Sequence, residues 1–530
     1  MLFTSYEFLA FLAVVFLLYY ILPKKLQWVT LLVASYAFYA LAGVEYLAFI
    51  AVTTVSSFIA TILMGRVSAR ENSYLEQNRA GLSKDEIKAY REKAKGRRFL
   101  ILCLALLLNF GILAVLKYTA FAVVNINSWL HTFGAEGQLT VPSLILPLGI
   151  SFYTFQTMGY LIDAYRGKAE IERNPFKLAL FVSFFPQLIQ GPISRFKDLG
   201  AQLTSPHAFE RRNFTYGLQR ILWGYFKKLV VADRVLVAIN TMIDAPESYG
   251  GFYVFLLIIL YSVQIYADFT GGIDITIGIA EALGIRLTEN FNRPFSSRST
   301  KEYWNRWHIT MGSWFTDYIF YPLSVCRPMA KLTKGCRKIF GKNIGKRIPV
   351  YLATVITWFL TGLWHGAGWN FIVWGLLNCL IILVSRELEP LYAKFEKKFP
   401  RLHASYAYGV FMSVRTFLLM GLIRSLDCYR DVPLTFRMWG SMFTQFNIFE
   451  ALGGGIEALG LGLADYIIIA LGCVVMLAVS KAGKEISVRE RLYDRPVLSW
   501  LCFGALFVAI ILFGAYSVGY DASQFIYNQF

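Results

Sequence analysis

The chain has 530 residues, of which 56% are apolar, 16% aromatic and 16% charged. Soluble domains carry about 25% charged residues, and here the apolar runs recur from end to end, which excludes a water-soluble globular protein. The formal net charge of +18 falls mostly in short segments between these runs. That distribution is typical of a membrane protein oriented by its basic loops and argues against a nucleic-acid binder.

The apolar segments predict the helices in chain order. A spanning helix needs about 20 mostly apolar residues. Lys24 and Lys25 stand where a cleaved signal peptide would have small residues, so the first run is interpreted as a retained span. Some later runs are short or contain Gly and Pro, which is typical of re-entrant or interfacial helices. We therefore predict an all-α polytopic integral membrane protein with roughly 11 or more spans. The candidate segments are residues 6–22, 27–43, 46–65, 99–117, 144–164, 176–192, 215–242, 251–267, 271–285, 304–323, 349–365, 369–385, 406–424, 463–480 and 497–517.

Two segments between apolar runs are strongly basic. Residues 66–98 mix ten Lys and Arg with acidic residues and suit a solvated helix, whereas residues 327–347 contain no acid. The positive-inside rule places both segments, and the turn at Lys24–Lys25, in the cytoplasm, so the N-terminus is predicted outside the cell membrane. We also expect three parts: N-terminal helices at 1–139, a catalytic core at 140–387, and C-terminal helices at 403–530 beyond a charged linker at 388–402.

Two of the five histidines lie in or beside apolar segments, each next to a tryptophan. These are His308 and His365, whereas His131 and His207 fall in loop-like stretches and His403 in the charged linker. Burial favours the neutral form of histidine, and a neutral imidazole is the general base that takes a proton from a hydroxyl attacking a thioester. A hydrogen bond to a neighbouring helix is the alternative role, and the residues alone leave both open.

Other polar and aromatic residues surround these histidines. Gly362, Gly366 and Gly368 leave room for a substrate or for a second helix. The candidate substrate or tunnel residues are Asn305, Trp304, Trp307, Trp364, Trp369 and Asn370. Asn305 can equally be a structural polar contact between helices.

Two further polar groups lie in apolar segments. Gln156 belongs to the first, together with Gln187 and Gln190, which two prolines flank; the prolines predict a broken helix. The second contains Asp268 and Asp274, for which we expect ion pairs with Arg293 or Arg298. Seven scattered cysteines form no metal-binding spacing, so neither a metal site nor a disulfide framework is predicted, and no bound cofactor is expected.

Five ordered motifs resemble the membrane-bound O-acyltransferase family. They are Leu146-Pro-Leu-Gly-Ile-Ser-Phe-Tyr-Thr-Phe-Gln156, Phe184-Phe-Pro-Gln-Leu-Ile-Gln-Gly-Pro-Ile193, Asp268-Phe-Thr-Gly-Gly-Ile-Asp274, Tyr303-Trp-Asn-Arg-Trp-His-Ile-Thr and Gly362-Leu-Trp-His-Gly-Ala-Gly-Trp-Asn370. The nearest branch is the alginate-type O-acetyltransferases, and the D-alanyl transferases of teichoic acid are related to it.

The resemblance implies a helical ring with a central tunnel that links a cytoplasmic donor site to an outer acceptor site. It makes His365 the essential catalytic histidine and His308 the second active-site histidine. The implied reaction moves an acetyl group from a cytoplasmic thioester, acetyl-CoA in the leading hypothesis, for O-acetylation of an exported polysaccharide. An extracytoplasmic SGNH-type acetyltransferase is the expected partner, besides membrane lipids.

Two alternatives remain open at this stage. D-Alanyl transfer from an acyl carrier protein to teichoic acid fits the same basic surface. A transporter or flippase is consistent with broken helices and intramembrane aspartates, although the sequence shows no inverted repeat.

Overall fold

The computed structural model describes residues 3–135 and 137–516. Within this part of the chain the regular structure is helical and no β-strand occurs. Residues 1, 2 and 136, and the last stretch of the predicted C-terminal part, 517–530, lie outside the described residues. The chain divides into two compact units, one formed by Met1–Phe214 with Ala280–Leu287 and the other by Thr215–Ile279 with Thr288–Phe530.

The α-helices vary in length from single turns to 49 residues. In chain order they are Tyr6–Ile21, Gln27–Ala40, Leu47–Asn78, Lys84–Thr132, Ile150–Tyr165, Pro175–Ser183, Phe185–Ile189, Phe196–Thr204, Arg211–Tyr225, Asp233–Asp244, Phe252–Ala282, Thr300–Arg306, Ile309–Phe315, Tyr321–Val325, Arg327–His365, Trp369–Glu387, Glu389–Lys398, Pro400–His403, Tyr406–Tyr429, Val432–Thr444, Ile448–Glu450, Leu463–Ala482, Val488–Tyr493 and Pro496–Phe513. π-Helical turns occur at Phe226–Ala232, Thr316–Phe320 and Ala451–Gly455, and 3-10 turns at Lys24–Leu26, Val44–Tyr46, Pro246–Ser248, Pro294–Ser296 and Glu457–Leu459.

The length and hydropathy of these helices confirm an all-α polytopic membrane protein. Among the described residues, 8 helices are long and apolar enough to cross a membrane, and Tyr6–Ile21 is a shorter apolar helix. Several other predicted segments fold as short or interrupted helices, which is why this number is below the roughly 11 expected from sequence. The ring with its central tunnel and the three-part division of the chain stay predictions.

Four predicted spans have different boundaries in the structure. Segments 251–267 and 271–285 form one continuous helix, Phe252–Ala282. Segment 215–242 is interrupted by the π-helical turn Phe226–Ala232, and segment 304–323 is broken into short helices around His308. The first two segments join because residues 268–270, which lie between them, are helical, and Gly271 packs against a neighbouring helix.

The charged segments are largely helical, including the one that was expected to be a linker. Lys84–Thr132 begins with a capping box in which Ser83 and Glu86 satisfy each other's backbone N–H groups, and its first turns form the predicted solvated helix. His131 lies inside this helix, so its placement in a loop was wrong. The expected linker at 388–402 is likewise helical, over Glu389–Lys398 and Pro400–His403.

In the first unit, the two N-terminal motifs pack against each other at a glycine. Gly149 has a φ of 67°, and a Cβ there would lie 2.2 Å from the backbone oxygen of Leu188. Leu188 belongs to the short helix Phe185–Ile189, which is separated from Pro175–Ser183 by the non-helical Phe184. The broken helix predicted from the two prolines is confirmed, and only glycine fits the contact that holds it.

In the second unit, glycines let helices cross at backbone distance. A Cβ on Gly224 would lie 2.6 Å from the Gly271 oxygen, and one on Gly278 would lie 2.7 Å from the Gly217 oxygen. Both pairs join Arg211–Tyr225 to Phe252–Ala282 at a seven-residue spacing. Small residues permit such close packing of membrane helices, and this crossing fixes the long helix on which the polar residues of the unit lie.

Candidate active site

His365 ends the long helix Arg327–His365 and lies against two tryptophans. Its half-buried ring has centroid distances of 4.9 Å to Trp364 and 4.7 Å to Trp374. Trp374 comes from the next helix, Trp369–Glu387, which can approach because a Cβ on Gly362 would meet the backbone oxygen of Phe371 at 2.4 Å. The glycines around His365 therefore make room for a second helix, one of the two uses expected for them.

Two further aromatic rings extend this wall. Trp304 lies 5.6 Å from Trp374 and 4.9 Å from Trp358 between ring centroids. Its indole N–H donates to Asn378 Oδ1 at 3.3 Å, and Asn378 Nδ2 donates to the Trp374 carbonyl at 2.9 Å. Asn378 thus fixes both tryptophans, and one flank of His365 is rigid and apolar.

His308 is fully buried and has an unusual backbone conformation. It caps the short helix Ile309–Phe315 with φ 47° and ψ 53°, the left-handed region. In the described part of the chain, Arg293 and Arg430 are the other non-glycine residues with positive φ. Such a conformation costs about 1–3 kcal/mol and persists where surrounding contacts enforce it, often at functional sites.

Trp364 brings the two histidines into one cluster. Its ring centroid lies 5.9 Å from that of His308 and 4.9 Å from that of His365. The opposite neighbour of His308 is the Phe269 ring, at 4.9 Å, from the helix Phe252–Ala282. Residues separated by more than fifty positions therefore form one aromatic-walled cluster with two imidazoles, groups that can accept and donate protons.

Trp307 immediately precedes His308 in the chain and is itself held by two neighbouring side chains. Its ring stacks on Tyr303 at 5.7 Å and 12°, and the Arg424 guanidinium lies 4.0 Å from its centroid. Arg424 Nη2 also donates to the Tyr303 hydroxyl at 2.8 Å. All three side chains are buried, so the ring of the residue preceding His308 is held by both neighbours.

Three predicted residues differ in exposure. Trp369 is 57% exposed, and Asn305 is exposed as well. Asn370 is buried, and its Nδ2 has no acceptor among the described residues. Of the three, Asn370 alone has the burial and the unused donor expected of a substrate-contacting group.

The predicted glutamines belong to the other compact unit, where they make structural hydrogen bonds. Gln156 Nε2 donates to the Phe181 carbonyl at 2.8 Å, and Gln187 Nε2 donates to the Pro192 carbonyl and the Ser194 hydroxyl, each at 2.7 Å. Gln190 is fully buried. These side chains donate hydrogen bonds to backbone carbonyls near the broken helix. Backbone groups freed by such a break need partners inside the protein when the helix lies in a membrane.

Asp268 and Asp274 are ion-paired, but the predicted partners were wrong. Asp268 pairs with Lys228 at 2.7 Å, with both side chains fully buried, and Lys228 also binds Asp233 at 2.6 Å. Asp274 pairs with Lys227 at 2.5 Å and with Arg220 at 2.9 Å. Arg293 and Arg298 were nearer in sequence, whereas the glycine crossing brings the earlier helix alongside.

Across residues 3–135 and 137–516, no group of three or more His, Cys, Asp or Glu side chains is placed to hold a metal ion. All seven cysteines are free thiols.

Comparison with known proteins identifies the family. The model of MBOAT, the membrane-bound O-acyltransferase family, matches residues 172–332 and 342–426, which contain both histidines. The chain is 33% identical to the probable alginate O-acetylase AlgI of Azotobacter vinelandii over 391 residues, 73% of this chain and 69% of that protein. The chain belongs to the membrane-bound O-acyltransferase family.

Two other relatives of this acyltransferase differ in the acceptor that their names state. A peptidoglycan O-acetyltransferase of Helicobacter pylori is 31% identical over 74% of this chain and 72% of its own length. A teichoic acid D-alanyltransferase of Bacillus subtilis is 28% identical over 52% of this chain and 67% of its own length. The membership confirms a multi-pass O-acyltransferase and favours the enzymatic interpretation over the transporter or flippase.

Sequence reasoning missed four residues that shape the site. Trp358, Trp374 and Asn378 lie in apolar helical runs and carry no local signal there, although Asn378 follows Trp374 by four residues. Arg424 had a signal, because a charge inside the apolar segment 406–424 is costly and requires a buried partner.

Proposed function

We propose that this acyltransferase moves an acetyl group from a cytoplasmic thioester, acetyl-CoA, for the O-acetylation of an exported polysaccharide. The observation that carries the proposal is the shared contact of His308 and His365 with Trp364. Two imidazoles in one aromatic-walled site can handle the proton that acyl transfer moves between a hydroxyl and a thiol. The acetylase names of the Azotobacter and Helicobacter relatives support the acetyl group and a cell-envelope polysaccharide as acceptor.

The proposed reaction needs one proton acceptor near the hydroxyl. The hydroxyl oxygen attacks the thioester carbonyl carbon while His365 takes the hydroxyl proton. The new C–O bond forms, the C–S bond breaks, and the departing thiolate takes up a proton, which regenerates the free thiol and the neutral histidine. His308 orients or assists at the same centre, and the tryptophans exclude water that would hydrolyse the thioester.

The orientation in the cell membrane belongs to the same proposal. The basic segments 66–98 and 327–347 face the cytoplasm, where their Lys and Arg suit the phosphates of the donor, and the N-terminus lies outside. A tunnel through the membrane joins donor and acceptor. An SGNH-type acetyltransferase outside the membrane receives the acetyl group or completes its transfer to the sugar.

Replacement of His365 tests the catalytic assignment. His365→Ala should lower polysaccharide O-acetylation at least about 100-fold, since general base catalysis contributes that much or more, while membrane expression stays normal. His403→Ala is the matched control, because His403 is exposed and its side chain lies against Glu396, at 3.6 Å, and the ring of Tyr408, at 5.6 Å between centroids. Acetylation retained in His365→Ala would refute the assignment.

D-Alanyl transfer is the second candidate, favoured by the likeness to the Bacillus D-alanyltransferase. Purified protein supplied either with acetyl-CoA or with a D-alanyl-loaded carrier protein separates the two. Transfer from acetyl-CoA alone supports the proposal, and transfer from the loaded carrier alone supports the alternative.

A further inference from the structure

In the connection that precedes His308, Asn290 binds the turn at this histidine. Asn290 is fully buried. Its backbone oxygen accepts from the Ile309 N–H at 3.0 Å. Its side-chain Oδ1 accepts from the Thr310 N–H at 3.0 Å and from the Thr310 hydroxyl at 2.9 Å. Asn290 therefore holds the first turn that follows His308.

The same oxygen also faces the imidazole. Asn290 Oδ1 lies 3.3 Å from His308 Nδ1. The amide orientation is fixed independently of the histidine, because the Thr310 backbone N–H can only donate and so requires an oxygen opposite it. A flipped amide would place its NH2 group against that donor. Oδ1 therefore faces His308 Nδ1 as a hydrogen-bond acceptor.

An acceptor oxygen selects one form of a neutral histidine. If Nδ1 lacked its proton, two lone pairs would face each other inside a buried site. With the proton on Nδ1, the contact is a hydrogen bond and the lone pair of the ring stays on Nε2. The left-handed backbone of His308, φ 47°, is held in the same way by the contacts of Asn290 on both following residues.

We propose that Asn290 is a positioning residue that fixes His308 as the Nδ1–H tautomer, so that Nε2 is the basic atom this histidine contributes to acyl transfer. Asn290 acts through His308 and does not itself touch substrate. The catalytic meaning of the tautomer rests on the proposed function, but the tautomer itself does not, and the two can be tested separately.

Nitrogen NMR of the full-length protein in nanodiscs, with 15N-labelled histidine, reads the tautomer without turnover. The His308 signals are assigned by their loss in His308→Gln. If that variant does not fold, a chain with the other four histidines replaced by Gln retains His308 alone. A protonated Nδ1 with an unprotonated Nε2 at neutral pH is expected. The Nε2–H tautomer, or a doubly protonated ring, would overturn the proposal.

Two variants of Asn290 test its part. Asn290→Asp keeps the acceptor oxygen and the shape, so the proton should stay on Nδ1. Asn290→Leu removes the acceptor, so an Nε2–H population should appear; an unchanged tautomer there would show that Asn290 does not set it. If Asn290→Leu fails to fold, Asn290→Ser, which is smaller and leaves no oxygen in place, is read in the same way.

Turnover gives the second readout. Asn290→Leu should lower kcat about 100-fold, within the range of general acid–base catalysis, with the KM for the donor little changed, and Asn290→Asp should recover most of it. Full activity of Asn290→Leu would contradict the positioning role. A natural chain that shows the expected tautomer but transfers no acyl group from any donor would refute the proposed function and leave the tautomer standing.

Discussion

At the scale of single residues, one buried arginine holds two aromatic side chains next to the candidate active site. Arg424 has its guanidinium over the ring of Trp307 and donates to Tyr303. Its Nη1 is buried and has no acceptor among the described residues. Arginine is suited to this place because its planar group stacks and donates at once, whereas lysine is a point charge.

Arg424→Gln should lower the thermal midpoint of the purified protein by several degrees and reduce acyl transfer. A desolvated cation–π contact contributes about 2 kcal/mol, and Trp307 precedes His308 directly. Arg424→Lys should recover little of either quantity. Both are measured by thermal unfolding in detergent and by a transfer assay.

Arg437→Gln is the control for this arginine. Arg437 pairs with Glu247 on the surface, with both side chains more than 60% exposed, and exposed pairs contribute about 0–1 kcal/mol. Full recovery by Arg424→Lys would show that charge alone matters there and that stacking does not.

At the scale of elements, a π-helical turn places two consecutive lysines against one helix. Lys227 and Lys228 in Phe226–Ala232 bind Asp274 and Asp268, respectively, on Phe252–Ala282. π-Helical turns inserted in α-helices are often found at functional sites. Here the turn joins two buried ion-pair groups to the helix that also carries Phe269, the neighbour of His308.

Lys228→Met should destabilise the protein more than Lys227→Met. Lys228 is shared by two buried carboxylates, Asp233 and Asp268, and removal of one partner of a buried pair costs about 3–5 kcal/mol. Lys227→Met is the matched control, because Asp274 keeps its pair with Arg220. Thermal unfolding of both variants in the same detergent measures the difference.

The double variant Lys228→Met/Asp268→Leu should regain part of the loss, since it removes a charge along with its counter-charge. Equal unfolding temperatures of Lys228→Met and Lys227→Met would contradict the prediction that the lysine shared by two carboxylates contributes more to stability.

At the scale of the whole molecule, basic charge marks the predicted cytoplasmic side. Five basic residues of the helix Lys84–Thr132 follow each other at intervals of three or four and line a hollow of about 490 Å³ with Glu71: Lys84, Lys88, Arg91, Lys95 and Arg98. Arg98 stands where the apolar run of this helix begins. Anionic lipid headgroups attract a basic stripe that ends at the membrane boundary.

Labelling of single cysteines in a cysteine-free background tests this orientation. Cysteine at the exposed positions Ala89 and Gly335 should react with a membrane-impermeant maleimide in inside-out vesicles and be protected in right-side-out ones. Thr140→Cys, which follows the next predicted span, should show the opposite pattern. Reaction of Ala89→Cys or Gly335→Cys from outside alone would reverse the proposed topology.

The sequence by itself determined those properties that depend on residues close together along the chain. Hydropathy identifies the membrane helices, two prolines around Gln187 and Gln190 predict the broken helix, and a tryptophan beside each of His308 and His365 marks the site that the family motifs share. These features follow from the cost of polar and non-helical backbone in lipid, which acts on each segment separately.

The tertiary structure decided which polar groups meet. Asn290 is 18 residues from His308 and Arg424 is 121 residues from Tyr303, so neither pairing follows from spacing. Asp268 pairs with Lys228 and not with the expected Arg293 or Arg298, because Gly224 and Gly271 let two helices touch. In a low-dielectric interior a buried charge or amide must find a partner, and the crossing of helices determines which one lies within reach.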